Sequence, residues 1–92
     1  MFLIEVLLPV QHDSPQTRAA LTEKFGGLTA FSRAPAEGRW KKAGEVEQDE
    51  IIVLEIMAET IEASWWRDFR RDLEEASGEE EILIRYHEIT RI

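Results

Sequence analysis

The chain contains no cysteine, which excludes disulfides, thiol catalysis and thiolate metal sites. It also lacks any stretch near the roughly 20 consecutive apolar residues that a membrane-spanning helix needs. No positively charged segment precedes Phe2, and Glu5 interrupts the first apolar run, so a signal peptide is not indicated. We therefore expect a soluble, cytoplasmic protein.

Positive charge is scarce as well, because 11 basic residues face 19 acidic ones and the formal net charge is -8. Such a balance repels phosphate backbones and anionic membrane surfaces, and no contiguous basic block overrides it. We expect neither a nucleic acid nor a membrane as a partner.

The length of 92 residues and the hydrophobic fraction of 43% provide one core. The sequence therefore predicts a single domain over residues 1–92.

The most apolar segment is residues 51–57, in which only Glu55 is polar, and it predicts a strand buried on both faces. Residues 2–10 form a second segment of this kind, with pairing expected to fade at Pro9. Alternation is weaker elsewhere, where we predict strands over residues 28–33, 39–42 and 82–87. Turn residues at 34–38 and polar residues at 43–50 predict a turn and an exposed loop.

Two helices are predicted from their end signals and their periodicity. The first starts at Ser14-Pro15, a cap followed by a proline that fits the first helical position, and ends at Gly26-Gly27. The second spans about residues 60–77 and ends at Gly78. Its apolar side chains recur every four residues, at Ile61, Trp65, Phe69 and Leu73.

The resulting order, strand-helix-strand-strand-helix-strand, is typical of an α+β, ferredoxin-like βαββαβ fold. In that fold two helices cover one face of a four-stranded antiparallel sheet. The topology places the first and third strands in the middle, and these are the two most apolar strands of this sequence.

The helices leave the other face of the sheet uncovered, although the inner strands carry apolar residues on both faces. Contiguous apolar patches of that size are uncommon on monomers, so we expect a homo-oligomer that packs sheet on sheet, most simply a two-fold dimer. The alternative is that the 34–50 segment and the C-terminal tail fold over this face.

A family resemblance is carried by Gly27-Leu28-Thr29, Gly38-Arg39-Trp40, Gly44 and residues 49–53. At these positions the sequence resembles a group of small, uncharacterised bacterial ferredoxin-like proteins with a Gly-Leu-Thr strand start and a Gly-x-Trp hairpin. The resemblance covers roughly residues 26–57 and implies the fold and no activity. The dimeric α/β-barrel superfamily is similar in fold and includes cofactor-independent monooxygenases and isomerases, an analogy of fold alone.

His12 and His87 are the only histidines and the candidates for acid-base catalysis, because histidine titrates near neutral pH. Each has an acidic neighbour in the sequence, but no metal-ligand spacing is present. The simpler interpretation is a loop residue and a strand-end residue. We expect neither a metal nor a cofactor.

Arg33, Trp40 and Lys41 lie in the one local concentration of positive charge, and with Trp66 they are the candidate ligand-binding residues. An aromatic plate beside cations suits a small anionic, partly planar molecule. A structural role for these aromatic residues in the core or at a subunit contact is the favoured alternative. Of the adjacent Trp65 and Trp66, one is expected to fill the core.

No motif assigns an activity to the chain. The first hypothesis is a small oligomeric module that binds a small molecule or another protein. The alternative is a cofactor-independent enzyme of the dimeric α/β-barrel type, in which His12 or His87 carries a proton and Arg33 or Lys41 stabilises an anion. A third hypothesis is a structural or regulatory protein that docks a partner on a sheet edge.

Overall fold

A computed structural model describes the backbone of residues 1–42, 45–78 and 81–92, and the side chains of residues 1–31, 50–76, 78 and 81–92. The predicted order of elements is confirmed. The elements are β1 (Phe2–Pro9), a short 3-10 turn (Val10–His12), α1 (Pro15–Phe25), β2 (Thr29–Lys42), β3 (Glu45–Ala58), α2 (Ala63–Ser77) and β4 (Leu83–Glu88).

The four strands form one antiparallel sheet in the order β2-β3-β1-β4. The predicted α+β, ferredoxin-like fold is therefore confirmed, and so is the central position of the two most apolar strands. A strand in the middle of a sheet has a neighbour on both sides, so its apolar side chains are covered more completely than those of an edge strand. Burial therefore favours the two most apolar strands in the middle.

The core lies between the sheet and the two helices. On β1, Ile4, Val6 and Leu8 are at most 1% exposed. They pair with alternate β3 residues that are also buried, namely Ile56, Leu54 and Ile52. The helices complete the cluster with buried side chains, chiefly Leu21 of α1 and Trp66 of α2. Both helices therefore cover the same face of the sheet.

The β2–β3 hairpin is longer than the sequence predicts. The turn expected at 34–38 and the loop expected at 43–50 are wrong over most of their length, because the backbone pairs from Ala36↔Ile51 to Lys42↔Glu45. Ala43 and Gly44 lie outside the described residues. Pairing of β1 with β3 stops at Pro9↔Ile51, so residues 45–50 are paired on one side only. Backbone hydrogen bonds hold such a segment without the apolar alternation on which the prediction relied.

Helix α1 has the predicted ends. Ser14 Oγ accepts a hydrogen bond from Thr17 N at 3.1 Å, and Pro15 occupies the first helical position. At the other end Gly26 has a φ of 81°, a left-handed conformation that glycine adopts without steric cost.

Replacing Ser14 with alanine is expected to lower the free energy of unfolding by about 1 kcal/mol, because the first turn of α1 loses a side-chain acceptor. Chemical denaturation followed by circular dichroism measures this change. Ser64→Ala is the matched control, since Ser64 is exposed in α2 and caps no helix, and it should change stability by less than about 0.5 kcal/mol. Equal losses in the two variants would contradict the role of the cap.

Helix α2 begins at Ala63, three residues later than predicted. The residue before it, Glu62, makes no side-chain cap and instead forms an ion pair with Lys24 of α1, with Glu62 Oε2 3.1 Å from Lys24 Nζ. The last turns of α2 contact the residue before β4, because Ile82 N donates a hydrogen bond to Glu74 Oε2 at 2.7 Å. Within the described parts of the chain, neither helix has the length and hydropathy to cross a bilayer.

Candidate functional site

The sheet face away from the helices is open and largely apolar; we call it the open face. Residues directly opposite each other on antiparallel strands project to the same side. Its apolar side chains include Leu3, Leu7, Phe31, Val53, Met57 and Leu83. At the two edges Phe31 is 50% exposed and Leu83 is 47% exposed, so each is about half uncovered in the protomer.

The prediction that residues 51–57 are buried on both faces holds in a single protomer only at the start of the segment, where Ile51, on the same side of the sheet as Val53, is 5% exposed. Leu54 is fully buried on the helix side, whereas Met57 on the open face is 49% exposed. Of the expected alternative cover, the side chains of residues 32–49 lie outside the described residues, so that part stays a prediction. The 34–50 segment extends the hairpin, and at the end of the tail Arg91 lines a cleft and Ile92 is fully exposed.

A polar row crosses the middle of the open face. Glu5 lies opposite Glu55 on one side and Arg85 on the other, and Thr29 completes the row on β2. Arg85 Nε donates to Glu5 Oε1 at 3.2 Å. The row therefore holds two carboxylates and one guanidinium on an otherwise largely apolar face.

A cleft of about 700 Å³ lies at the end of the sheet where β2 begins and β3 ends, within the size range of small-molecule sites. Its walls come from the end of α1, the start of β2, the end of β3 with the loop that follows, and the segment after β4. The charged side chains that line it are Lys24, Glu55, Glu59, Glu62 and Arg91. Its apolar walls include Phe25, Leu28 and Met57.

The Lys24 ammonium is already occupied in this cleft. It pairs with Glu62 and lies over the Trp65 ring, 4.8 Å from the centroid. Phe25 packs edge-on against Trp65 and is stacked on Trp66, with centroids 5.4 and 5.2 Å apart. These contacts join the end of α1 to the start of α2, so this wall of the cleft is held in place.

The position of Arg91 follows from backbone pairing. Ile89 N donates to Met1 O at 2.9 Å, which continues the β1–β4 ladder one step beyond β4. The segment after this contact therefore passes the end of the sheet, and Arg91 lines the cleft there.

The two candidate catalytic histidines are not brought together. His87 lies opposite Leu3 near the start of β1, whereas His12 is in the 3-10 turn after the end of β1. The strand from Leu3 to Pro9 alone spans about 20 Å, at 3.3 Å per residue. Neither histidine lines the cleft.

The side chains of Arg33, Trp40 and Lys41 lie outside the described residues, so the predicted ligand site on the hairpin stays a prediction. Their backbone belongs to β2, where Trp40 pairs with Glu47. Trp66 lies elsewhere, at the other end of β2 against Phe25.

Trp66 is 7% exposed, so it is the tryptophan that fills the core, as predicted for one of the pair. Its Nε1 has no hydrogen-bond partner among the described residues. Because Trp66 does not line the cleft, this unpaired donor does not indicate a ligand there.

Other ionisable groups have a structural role. The hydrogen bonds that Arg18 donates to Asp13, at 2.7 and 3.0 Å, raise the pKa of Arg18 and fix the loop before α1. In the described part of the chain, no three histidine or carboxylate side chains are placed to hold a metal ion.

The sequence did not indicate the cleft. Lys24 and Glu62 come from different helices, and Arg91 comes from the tail, so no short motif contains them. Gly26-Gly27 marks the end of a helix in the sequence, and both glycines also line the cleft.

Comparison with solved structures supports the fold. The chain is similar to a structure described as the PII-like protein CutA from Nostoc sp. PCC 7120 in apo form, with a TM-score of 0.71 and 17% sequence identity. The match covers 97% of this chain and 81% of that chain. At this identity the likeness establishes a ferredoxin-like fold, which confirms that part of the expected resemblance. No family model and no curated protein matches the sequence.

Proposed function

We propose that this chain is a homo-oligomeric binding module that assembles through the open face and takes a small molecule in the cleft beside it. A two-fold dimer is the smallest assembly that would cover the open face. The enzyme hypothesis is not part of this proposal, because neither histidine lines the cleft to carry a proton there.

One observation carries the assembly: an apolar row, Phe31–Val53–Leu7–Leu83, crosses all four strands and is half exposed at both ends. Fully burying an exposed large apolar side chain contributes about 1.5–3 kcal/mol, so each of these four partly buried side chains would contribute a fraction of that amount on assembly. Part of that gain offsets the cost of desolvating the Glu5–Glu55 row.

The ligand-binding part rests on the size and the fixed walls of the cleft. Lys24, Glu62 and Trp65 hold two helices together at its rim, so binding would require little ordering of this wall. The similar structure is described as a PII-like protein in apo form, and that wording is in keeping with a ligand-binding use of this fold.

The open face and the cleft share side chains, because Leu3, Glu55 and Met57 belong to the first and line the second. A second protomer on the open face would therefore alter the wall of the cleft. We expect ligand affinity and assembly to be thermodynamically linked.

The mass of the protein in solution tests the proposed assembly. Light scattering over a wide range of protomer concentration should give, at the highest concentrations, twice the 10.7 kDa protomer mass or a larger whole multiple of it. Dissociation on strong dilution is compatible with the proposal, since apparent assembly depends on concentration. A mass of 10.7 kDa at every concentration would contradict it.

A further inference from the structure

Some charged side chains of the cleft form an ion pair with each other, whereas others are available to a ligand. Lys24 and Glu62 are paired with each other. Among the described residues, the remaining charged side chains of the lining, Glu55, Glu59 and Arg91, have no ion-pair partner, and Met1, which bears the chain's positively charged amino group, also lines the cleft. The cleft therefore presents available groups of both signs, two carboxylates from the end of β3 and the loop after it and one guanidinium from the segment after β4.

This combination selects among classes of ligand. A simple anion could bind Arg91 or the Met1 amino group but would lie beside two unpaired carboxylates in a protein of net charge -8. A simple cation would leave Arg91 without a partner. A ligand with an ammonium group and a carboxylate could pair with both signs, and guanidinium binds carboxylate with good geometry.

The geometry points to a small zwitterion, of which an apolar α-amino acid is the simplest, as the ligand of this cleft. Its ammonium group lies at Glu55 and Glu59, its carboxylate lies at Arg91, and its side chain packs on Phe25, Leu28 and Met57. This inference rests on the proposed binding function of the cleft and specifies the chemistry of its ligand.

Isothermal titration calorimetry on the full chain tests the inference with L-leucine, L-methionine and L-phenylalanine as probes. Two analogues of L-leucine isolate its charges: isocaproate lacks the amine, and isoamylamine lacks the carboxylate. We expect at least one of the amino acids to bind, and L-leucine to bind about tenfold or more tightly than either analogue, because each analogue leaves one charged group of the cleft unpaired.

Two variants locate the binding. Arg91→Gln should weaken amino-acid binding about tenfold or more and leave isoamylamine binding unchanged, and Glu59→Gln should weaken the binding of both the amino acid and the amine. Arg67→Gln and Glu75→Gln are the matched controls, because both residues are exposed on α2 and do not line the cleft. The controls should bind like the unchanged chain.

The outcomes separate this inference from the proposed function. If none of the amino acids binds, or if the Arg91→Gln variant binds them with the same affinity as the unchanged chain, the inference is overturned. If isocaproate or isoamylamine binds as tightly as L-leucine and Glu59→Gln or Arg91→Gln weakens it, the cleft binds a ligand and only the zwitterion is wrong. Light scattering on the same samples measures assembly independently of ligand binding. A failure of binding and a failure of assembly can therefore be told apart.

Discussion

Replacing Leu7 with glutamate is expected to shift the assembly to 10.7 kDa protomers at concentrations where the unchanged chain is associated. Leu7 lies between Val53 and Leu83 in the row that crosses the open face. A glutamate there would carry its charge into the contact, two residues along the strand from Glu5 and on the same side of the sheet. Desolvating an unpaired charge costs several kcal/mol, so association should weaken by about 100-fold or more.

The control for this variant adds the same charge away from the sheet. Ala19 is exposed on α1, so Ala19→Glu should retain the mass of the unchanged chain. Circular dichroism on both variants establishes whether the protomer is folded, which is expected because the Leu7 side chain faces away from the core. A folded Leu7→Glu variant that remains associated like the Ala19→Glu control would overturn the open face as the contact.

The architecture could be predicted because strands that are buried in the core are rich in apolar residues in the sequence. Residues 2–10 and 51–57 are the most apolar segments, and the structure places their strands in the middle of the sheet. The ends of α1 could also be predicted, because Ser14 and Gly26 act on backbone groups that are close to them in the sequence. The start of α2 was less predictable, because Glu62 at that boundary makes no side-chain cap.

The second half of the hairpin could not be predicted from burial. Residues 37–42 pair with residues 45–50, beyond the point where the β1–β3 pairing ends, and their mostly polar sequence lacks the apolar alternation that indicates a strand. The cleft escaped prediction for a related reason. Its charged groups become neighbours only through the sheet register and the helix packing, which sequence spacing does not reveal.

The register also explains why the open face and the cleft share side chains. Alternate residues of β3 face opposite sides, so Leu54 and Ile56 pack against the helices while Val53, Glu55 and Met57 face away from them. The same strand thus builds the core, the apolar row and one wall of the cleft. A substitution on β3 should therefore affect folding or association according to the side of the sheet that it faces.

That division predicts the largest loss of stability for Leu54→Ala. Leu54 is fully buried and lies opposite Val6 on one side and Ala30 on the other. Removing its side chain should lower the free energy of unfolding by about 2–5 kcal/mol, through lost transfer energy and the cavity left behind. A domain of this size is stable by only about 5–15 kcal/mol, so a fall in the thermal midpoint should be large.

Leu83→Ala provides the comparison, because it makes the same truncation at a position that is 47% exposed on the open face. Both changes are best measured by urea unfolding at one protomer concentration in the Leu7→Glu background, where association contributes little to stability. Leu83→Ala should cost less than about 1 kcal/mol there, in line with most surface substitutions. In the unchanged background it should instead weaken association, because it removes one end of the apolar row. Equal costs for Leu54→Ala and Leu83→Ala in the dissociated protomer would mean that both faces of the sheet are covered within one chain, and the open face would then lose its role as the contact.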